Sequence, residues 1–371
     1  MDTFKWFDLR VKHRMRIYRA LALVMAMATA SAQGSNFSLP PADSNIVGHI
    51  HVVIPSPQNT LLDIARHYDI GYNEIVAANP DISVWTPPTG TRVVIPTQFI
   101  LPPKPWRGII INIALQRLYY FPEHHSHEPN QIITYPIGTS VPGWSTPLGK
   151  TRIIAKFRNP SWIVPQNILE EHRQAGESRF PTYFPPGPDN PMGMLAMETG
   201  FSGIFIHATN RPWGVGMRTS HGCLHLYPED AAELFRRIRV GTPVRIIDQP
   251  ALVGIQDNMI YLSVSELGAE YPNDLDLPKR AVAALIAFSK LSEHKLSRHL
   301  IDWNRVQWVA ETQQIIPAPV SMNAPTTISI IAAISPKPYD YEPYGINAND
   351  AAVPPRALTS LQKTPAEMMS Q

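Results

Sequence analysis

A single cysteine, Cys223, occurs in the 371 residues, inside the run Thr219-Ser220-His221-Gly222-Cys223-Leu224-His225-Leu226. A thiol attacks as its thiolate, and its ordinary pKa leaves little thiolate at neutral pH. An imidazole that takes the proton supplies the missing base. Two histidines compete for that role. His221 precedes the cysteine by two positions, and on a strand residues two apart share a face. His207 lies further upstream, at the end of the strand-like run Gly203-Ile204-Phe205-Ile206-His207, and an adjoining strand could bring it to face the sulfur. The residues alone leave this choice open. The rival reading of a lone cysteine is a small buried hydrophobe, but the two histidines and the export signal described below weigh toward catalysis.

Other chemistries have weaker footing. Glu123 to Glu128 reads Glu-His-His-Ser-His-Glu, yet it falls between two expected strands as a hairpin tip, and its spacing suits no tight tetrahedral metal site. Trp144 and Trp162 suit either a sugar- or peptide-binding groove or a core. Phosphate-binding loops, dinucleotide fingerprints and serine nucleophile elbows are missing from the sequence. No metal and no cofactor is expected.

The elements that must position Cys223 fall into several segments. The length implies two or three domains, and a hydrophobic share of 44% supports real cores. A net charge of +2 gives nucleic acid no footing as a partner. Residues 1–32 read as a signal peptide. Lys5, Arg10, Lys12, Arg14, Arg16 and Arg19 form a positive region, Ala20 to Ala28 a short apolar core, and Ala30-Ser31-Ala32 a small-residue cleavage site. Cleavage after Ala32 or retention as an anchor are both open, and no further membrane span is expected. Export places the chain in the periplasm or cell envelope, where paired cysteines oxidise and a lone one cannot pair within its own chain.

Residues 33–48 read as a linker and 49–97 as a small β-α-α-β module. In that module Thr60 or Asn59 caps a first helix that Gly71 ends, Asn73 caps a second, and Asn79-Pro80 stops it. Pro102, Pro103 and Pro105 make 98–106 a stiff linker. Residues 107–248 form a strand-rich domain with a proline-stiffened loop from Phe180 to Gly193, and a helix begins near Pro228. Residues 249–312 are expected to be mainly helical and 313–371 a proline-rich, flexible tail. The fold class is therefore multi-domain α+β, with a mainly β, mixed-sheet, sandwich-like central domain.

Residues 50–96 resemble a LysM module, which implies binding to glycan strands through Thr60, Leu61, Asn79 and Pro80. Gln58-Asn59 stand where that family usually has Gly-Asp. His207, the gap after it, and Ser220-His221-Gly222-Cys223 resemble the L,D-transpeptidases of bacterial cell walls. That resemblance implies Cys223 as nucleophile, His207 as general base and then acid, and His221 as an orienting group. It further implies the amides of Gly222 and Cys223 as oxyanion donors, with Ser220 and Asn210 as secondary contacts. Ala208 replaces the usual glycine after the base. His225 replaces the usual arginine or asparagine, so substrate charge would be met by a partly protonated imidazole or by Arg218 or Arg211.

The implied reaction is attack on a tetrapeptide stem, release of D-alanine, and transfer of the thioester's acyl group to an amine as a 3-3 crosslink. The implied partners are peptidoglycan stem peptides and glycan strands. Water as acceptor would make a carboxypeptidase, and an amine of an envelope protein would attach that protein to the wall. A non-catalytic wall-binding protein is the alternative of another class.

Overall fold

A computed structural model of the protein describes residues 35–123, 130–177, 179–267, 276–291, 300–339 and 341. The chain opens with β1 (Ser35–Ser38), β2 (Ile46–Gly48) and β3 (His51–Pro55). α1 (Leu61–His67), α2 (Tyr72–Ala78), β4 (Val93–Ile95) and β5 (Gln98–Ile100) follow. Next come β6 (Gly108–Asn112), β7 (Arg117–Phe121), β8 (Gln131–Pro136), β9 (Thr139–Ser140), β10 (Gly149–Arg158) and β11 (Trp162–Ile163). α3 (Gln166–Gln174) leads to β12 (Tyr183–Phe184), β13 (Leu195–Thr199), β14 (Phe205–His207), β15 (Arg218–Ser220) and β16 (Leu224–His225). α4 (Pro228–Arg237), β17 (Pro243–Ile247), β18 (Ala251–Gln256), β19 (Met259–Val264) and α5 (Leu277–Leu291) continue the chain. It ends in α6 (Trp303–Glu311), β20 (Ala318–Pro319), α7 (Thr327–Ala333) and β21 (Lys337–Tyr339).

Nine strands make one sheet in the order β1-β8-β7-β6-β17-β10-β13-β14-β16. β10 turns its corner. Gly149 to Arg152 pair with β17, and from Ile153 the strand pairs with β13 across a register shift. Such a shift bends a strand and increases its twist. The curled sheet closes around Ile109, Ile111, Leu118, Ile133, Met197, Ile206, Leu224 and Leu234. β6 and β7 are buried on both faces, which explains their unbroken apolar runs. Their other face carries Ile110, Tyr119 and Phe121 into a second core with Leu61, Ile64 and Ile75 of the βααβ module.

In that module the Thr60 hydroxyl accepts from the Asp63 amide at 3.1 Å, and the Asp63 carboxylate accepts from the Thr60 amide at 2.8 Å. This reciprocal cap starts α1. Two expectations are corrected here. α1 stops at His67, and Asp69, with φ +52°, makes the left-handed turn assigned to Gly71. Gly71 instead precedes α2, whose Glu74 carboxylate accepts the Gly71 amide at 2.8 Å, so Asn73 is not the cap.

Segment expectations also change. Within 33–48, β1 pairs with β8 and β2 with β5, so this stretch is sheet rather than linker, as is the start of 98–106. Phe37 anchors it, edge-on to Phe99 at 6.0 Å between ring centroids. The 249–312 segment opens with the antiparallel hairpin β18–β19 before α5 and α6. Its turn residues Asp257 and Asn258 both have positive φ, at 50° and 60°, the conformation that two-residue hairpins prefer. The tail is not uniformly loose either. β21 runs parallel to β3, and Tyr339 is buried in the module's core. Residues 1–32, the histidines at 124–127 and residues 342–371 lie outside the described residues. Among the described residues no helix is long and apolar enough to cross a membrane.

Candidate active site

The parallel pairing of β14 with β16 builds the site. Ile206 lies opposite Leu224 and His207 opposite His225. Ile206 and Leu224 fill the core, so the alternate residues, His207, His225 and the cysteine just before β16, belong to the other face. The His207 and His225 rings lie 6.2 Å apart.

Cys223 is half-buried, and its Sγ donates to the Gly203 carbonyl at 3.5 Å. Burial raises the thiol to about 11, opposed only by a backbone contact from Phe205. His207 is buried, and its Nδ1–H donates to the Ala208 carbonyl at 2.5 Å. That bond fixes the tautomer and leaves Nε2 as the ring's acceptor. Burial, then the neighbouring His225, push the imidazole down to about 3, against the carbonyls of Ala208 and Met192. The surroundings therefore favour a neutral thiol and a neutral imidazole at rest. Ala208 supplies its carbonyl to the ring as a glycine would.

Gly222 has φ +110°, and a Cβ there would meet Ile204 Cδ1 at 3.0 Å. Only glycine makes this turn without strain. The turn, with β15 ending at Ser220, removes the face-sharing expected of His221 and Cys223. His221 instead donates from Nε2 to Glu171 Oε2 at 3.1 Å and sets its ring edge-on to Trp144 at 4.7 Å. The Gly222 carbonyl accepts from Thr146 Oγ1 at 2.9 Å, and Thr146 meets Ser140 Oγ at 2.8 Å. Ser220 Oγ donates to the Cys223 carbonyl at 2.5 Å. It therefore shapes the backbone around the nucleophile rather than a substrate. Among the described residues the amides of Gly222 and Cys223 donate no hydrogen bond, which leaves both available to an oxyanion.

His225 requires correction. It is buried, its Nε2 donates to the Gly214 carbonyl at 3.1 Å, and burial lowers its pKa. Gly138 packs so tightly against it that a Cβ there would lie 1.8 Å from Nε2. It is a packed, neutral ring and not a receptor for a carboxylate. Arg218 donates from Nε to the Ser140 carbonyl at 2.9 Å, tying β15 to β9. Asn210 is half-buried and Arg211 exposed just beyond β14.

Trp162 belongs to a cover over the site. β11 and β12 pair as a short ribbon, Trp162 stacks on Phe184 at 5.5 Å, and Phe180 stacks on His172 of α3 at 3.5 Å. Asn190, deep in the proline loop, donates to the carbonyls of Pro160 (2.8 Å) and Pro185 (3.1 Å) and accepts from the Met192 amide at 2.9 Å. Glu171, Thr146 and Asn190 escaped the sequence reading, because no local spacing links them to Cys223.

The glycan residues are corrected as well. Leu61 is core, and Asn79 bonds the Ile75 and Val94 carbonyls and the Val94 amide from a buried position. Thr60 is spent as a cap, so Pro80 alone of the four is exposed. The module docks beside the nucleophile segment, with the Tyr72 amide donating to Val215 O at 2.9 Å and Arg66 paired with Glu229 at 2.7 Å.

Residues 107–246 match the family model of the YkuD domain, an L,D-transpeptidase catalytic domain. The chain is 34% identical over 316 residues to the probable L,D-transpeptidase ErfK/SrfK of Escherichia coli (strain K12), spanning 83% of this chain and 97% of that protein. It is 39% identical over 234 residues to the probable L,D-transpeptidase YbiS of the same strain, spanning 62% and 74% respectively. The chain belongs to the L,D-transpeptidase family.

Proposed function

We propose that this enzyme forms direct crosslinks between third residues of peptidoglycan stem peptides, through an acyl-enzyme on Cys223. The observation that carries the reading is the β14–β16 register, which sets His207, tautomer fixed by Ala208, on the cysteine's face of the sheet. As Sγ attacks the carbonyl carbon between the third and fourth residues, its proton passes to His207 Nε2. The negative oxygen forms beside the amides of Gly222 and Cys223. The C–N bond breaks, His207 returns the proton to the leaving amine of D-alanine, and a thioester remains. An amine on a neighbouring stem attacks that carbonyl, the C–S bond breaks, and His207 passes the amine's proton to the departing sulfur.

The neutral resting pair suits this sequence, since the proton moves only when a substrate carbonyl is present. The N-terminal segment supports export to the envelope. Residues 49–97 are the LysM-like module that holds the enzyme on glycan, raising the local concentration of stems, through a surface other than Leu61 and Asn79.

Intact-mass spectrometry of the full chain with a carbapenem tests the nucleophile. The wild type should gain the drug's mass and Cys223→Ala should not; equal gains in both refute the assignment. Purified disaccharide-tetrapeptides test the acceptor. Crosslinked dimers lacking one D-alanine are expected, whereas tripeptide monomers alone would make water the acceptor.

A further inference from the structure

Glu171 stands outside every motif of the sequence, yet it is the carboxylate closest in bonding to the nucleophile segment. It projects from α3, the helix of the cover, and accepts the Nε2 proton of His221 at 3.1 Å. His221 is two residues from Cys223, across Gly222. Its ring is framed by Trp144 at 4.7 Å and His172 at 6.5 Å, while His172 itself is paired with Glu177 at 2.7 Å. The groups that face His221 are thus Glu171 and His172 from α3 and Trp144 from the loop after β9. The nearby ribbon leaves Tyr183 and Ile163 exposed.

We propose that Glu171 is a positioning residue for the amine half of the reaction: by holding the proton of His221 on Nε2 it leaves Nδ1 as the acceptor for an N–H of the incoming amine, and it ties the cover to the nucleophile segment. The proposal rests on the transpeptidase reading. A side-chain amine of a stem peptide is an ammonium ion at neutral pH and cannot attack until it loses a proton. His221 Nδ1 takes that proton, and the Glu171 carboxylate stabilises the imidazolium formed. The free amine attacks the thioester carbon, the C–S bond breaks, and its second proton passes through His207 to the sulfur. One proton leaves His221 for solvent, so the sum is amide, thiol and one released proton. The division of labour follows from the geometry. His207 is buried and bonded to its own backbone, and it serves the sulfur and the leaving group. His221 is partly exposed and carboxylate-bound, and it serves the acceptor.

The test uses the full chain, a tetrapeptide donor and a diamino-acid tripeptide acceptor, with acyl-enzyme formation followed by mass and crosslinking followed by chromatography between pH 5 and 9. Glu171→Ala should lower kcat/KM for the acceptor about tenfold, the factor one partly exposed charge-assisted hydrogen bond supplies. It should also move the acidic limb of crosslinking to lower pH, because His221 loses the carboxylate that favours its protonated form. Glu171→Asp should restore part of both effects, and Glu170→Ala, on the neighbouring exposed carboxylate, should track the wild type. An unchanged acceptor kcat/KM in Glu171→Ala overturns the proposal. So does an equal loss in acylation and crosslinking with no movement of the limb, which would make Glu171 a structural tie alone. A wild type that forms no acyl-enzyme from the donor overturns the transpeptidase reading, and this inference with it.

Discussion

The contact between the βααβ module and the catalytic sheet rests on an ion pair whose removal has a definite size. Arg117 of β7 is 1% exposed and grips Glu74 of α2 with two bonds, Nε to Oε1 at 2.8 Å and Nη2 to Oε2 at 2.6 Å. Its remaining donors reach the Asp69 carbonyl at 2.9 Å and Thr134 Oγ1 at 3.2 Å. Glu74→Ala leaves that guanidinium buried and without its carboxylate, which costs about 3–5 kcal/mol. For a unit of this size each kcal/mol moves Tm by roughly 2–4 °C, so a fall of about 10 °C in a calorimetric or circular-dichroism melt is expected. The double variant Arg117→Met/Glu74→Leu should recover most of the loss, because an apolar pair of similar volume needs no desolvation of charge. Crosslinking should fall in Glu74→Ala as well, since α2 abuts Val215 and Gly216, just before the nucleophile segment. A Tm within about 2 °C of wild type, or a double variant as unstable as the single one, would refute the argument that burial of an unpaired charge sets the cost.

Three further outcomes follow from the same geometry. His225→Arg, which would restore the family's usual side chain, should destabilise the fold and lower acylation by carbapenem, because the site holds a buried neutral ring against Gly138; a more active variant would reverse the reading of this position. Cys223 should alkylate with iodoacetamide far more slowly than free cysteine at pH 7, with a rate still rising above pH 9, since its thiol is raised to about 11; a plateau near neutrality would show a resting ion pair instead. Asp69, raised to about 8 by burial, and Asp230, raised well above its ordinary value by burial, face each other across the module contact. The Asp230 oxygens meet no hydrogen-bond partner among the described residues, so burial favours its protonated form. A folded pKa above the unfolded value of 3.8 gives stability that is complete below that value and lost as pH rises toward about 8. Thermal melts should show that loss, and Asp230→Asn should flatten it.

How much of this was legible depended on whether the signal was local. The Thr60 cap, the helix opening at Pro228 and the strand ending in His207 each rest on neighbours in sequence, and the spacing around Cys223 singled out the nucleophile. β1 was missed because Ser-Asn-Phe-Ser has a single apolar residue, and its partner, Gln131 to Thr134, lies almost a hundred positions away. The β18–β19 hairpin is signalled locally by Asp257-Asn258 between two apolar runs. The expectation for His225 rests on analogy with a charged side chain. Its burial is decided by Gly138 and Gly214, which no spacing rule connects to it. Glu171 meets His221 from a helix fifty positions away in sequence.

The tertiary packing also alters what the lone thiol means. Read from sequence, a histidine next to a cysteine suggests a standing thiolate, which an oxidising compartment would attack first. In the folded protein burial raises the sulfur and lowers His207, so the two pKa values move in the directions that keep the proton on sulfur. A thiol raised this far is almost wholly protonated at neutral pH, and oxidants act on the thiolate. The same burial strengthens the hydrogen bonds offered by Gly222 and Cys223 once charge appears on a substrate oxygen. Protection at rest and reactivity on binding thus come from one cause, the low polarity around the β14–β16 seam. Substitutions that open this seam to water should trade slower acylation for faster chemical loss of the cysteine.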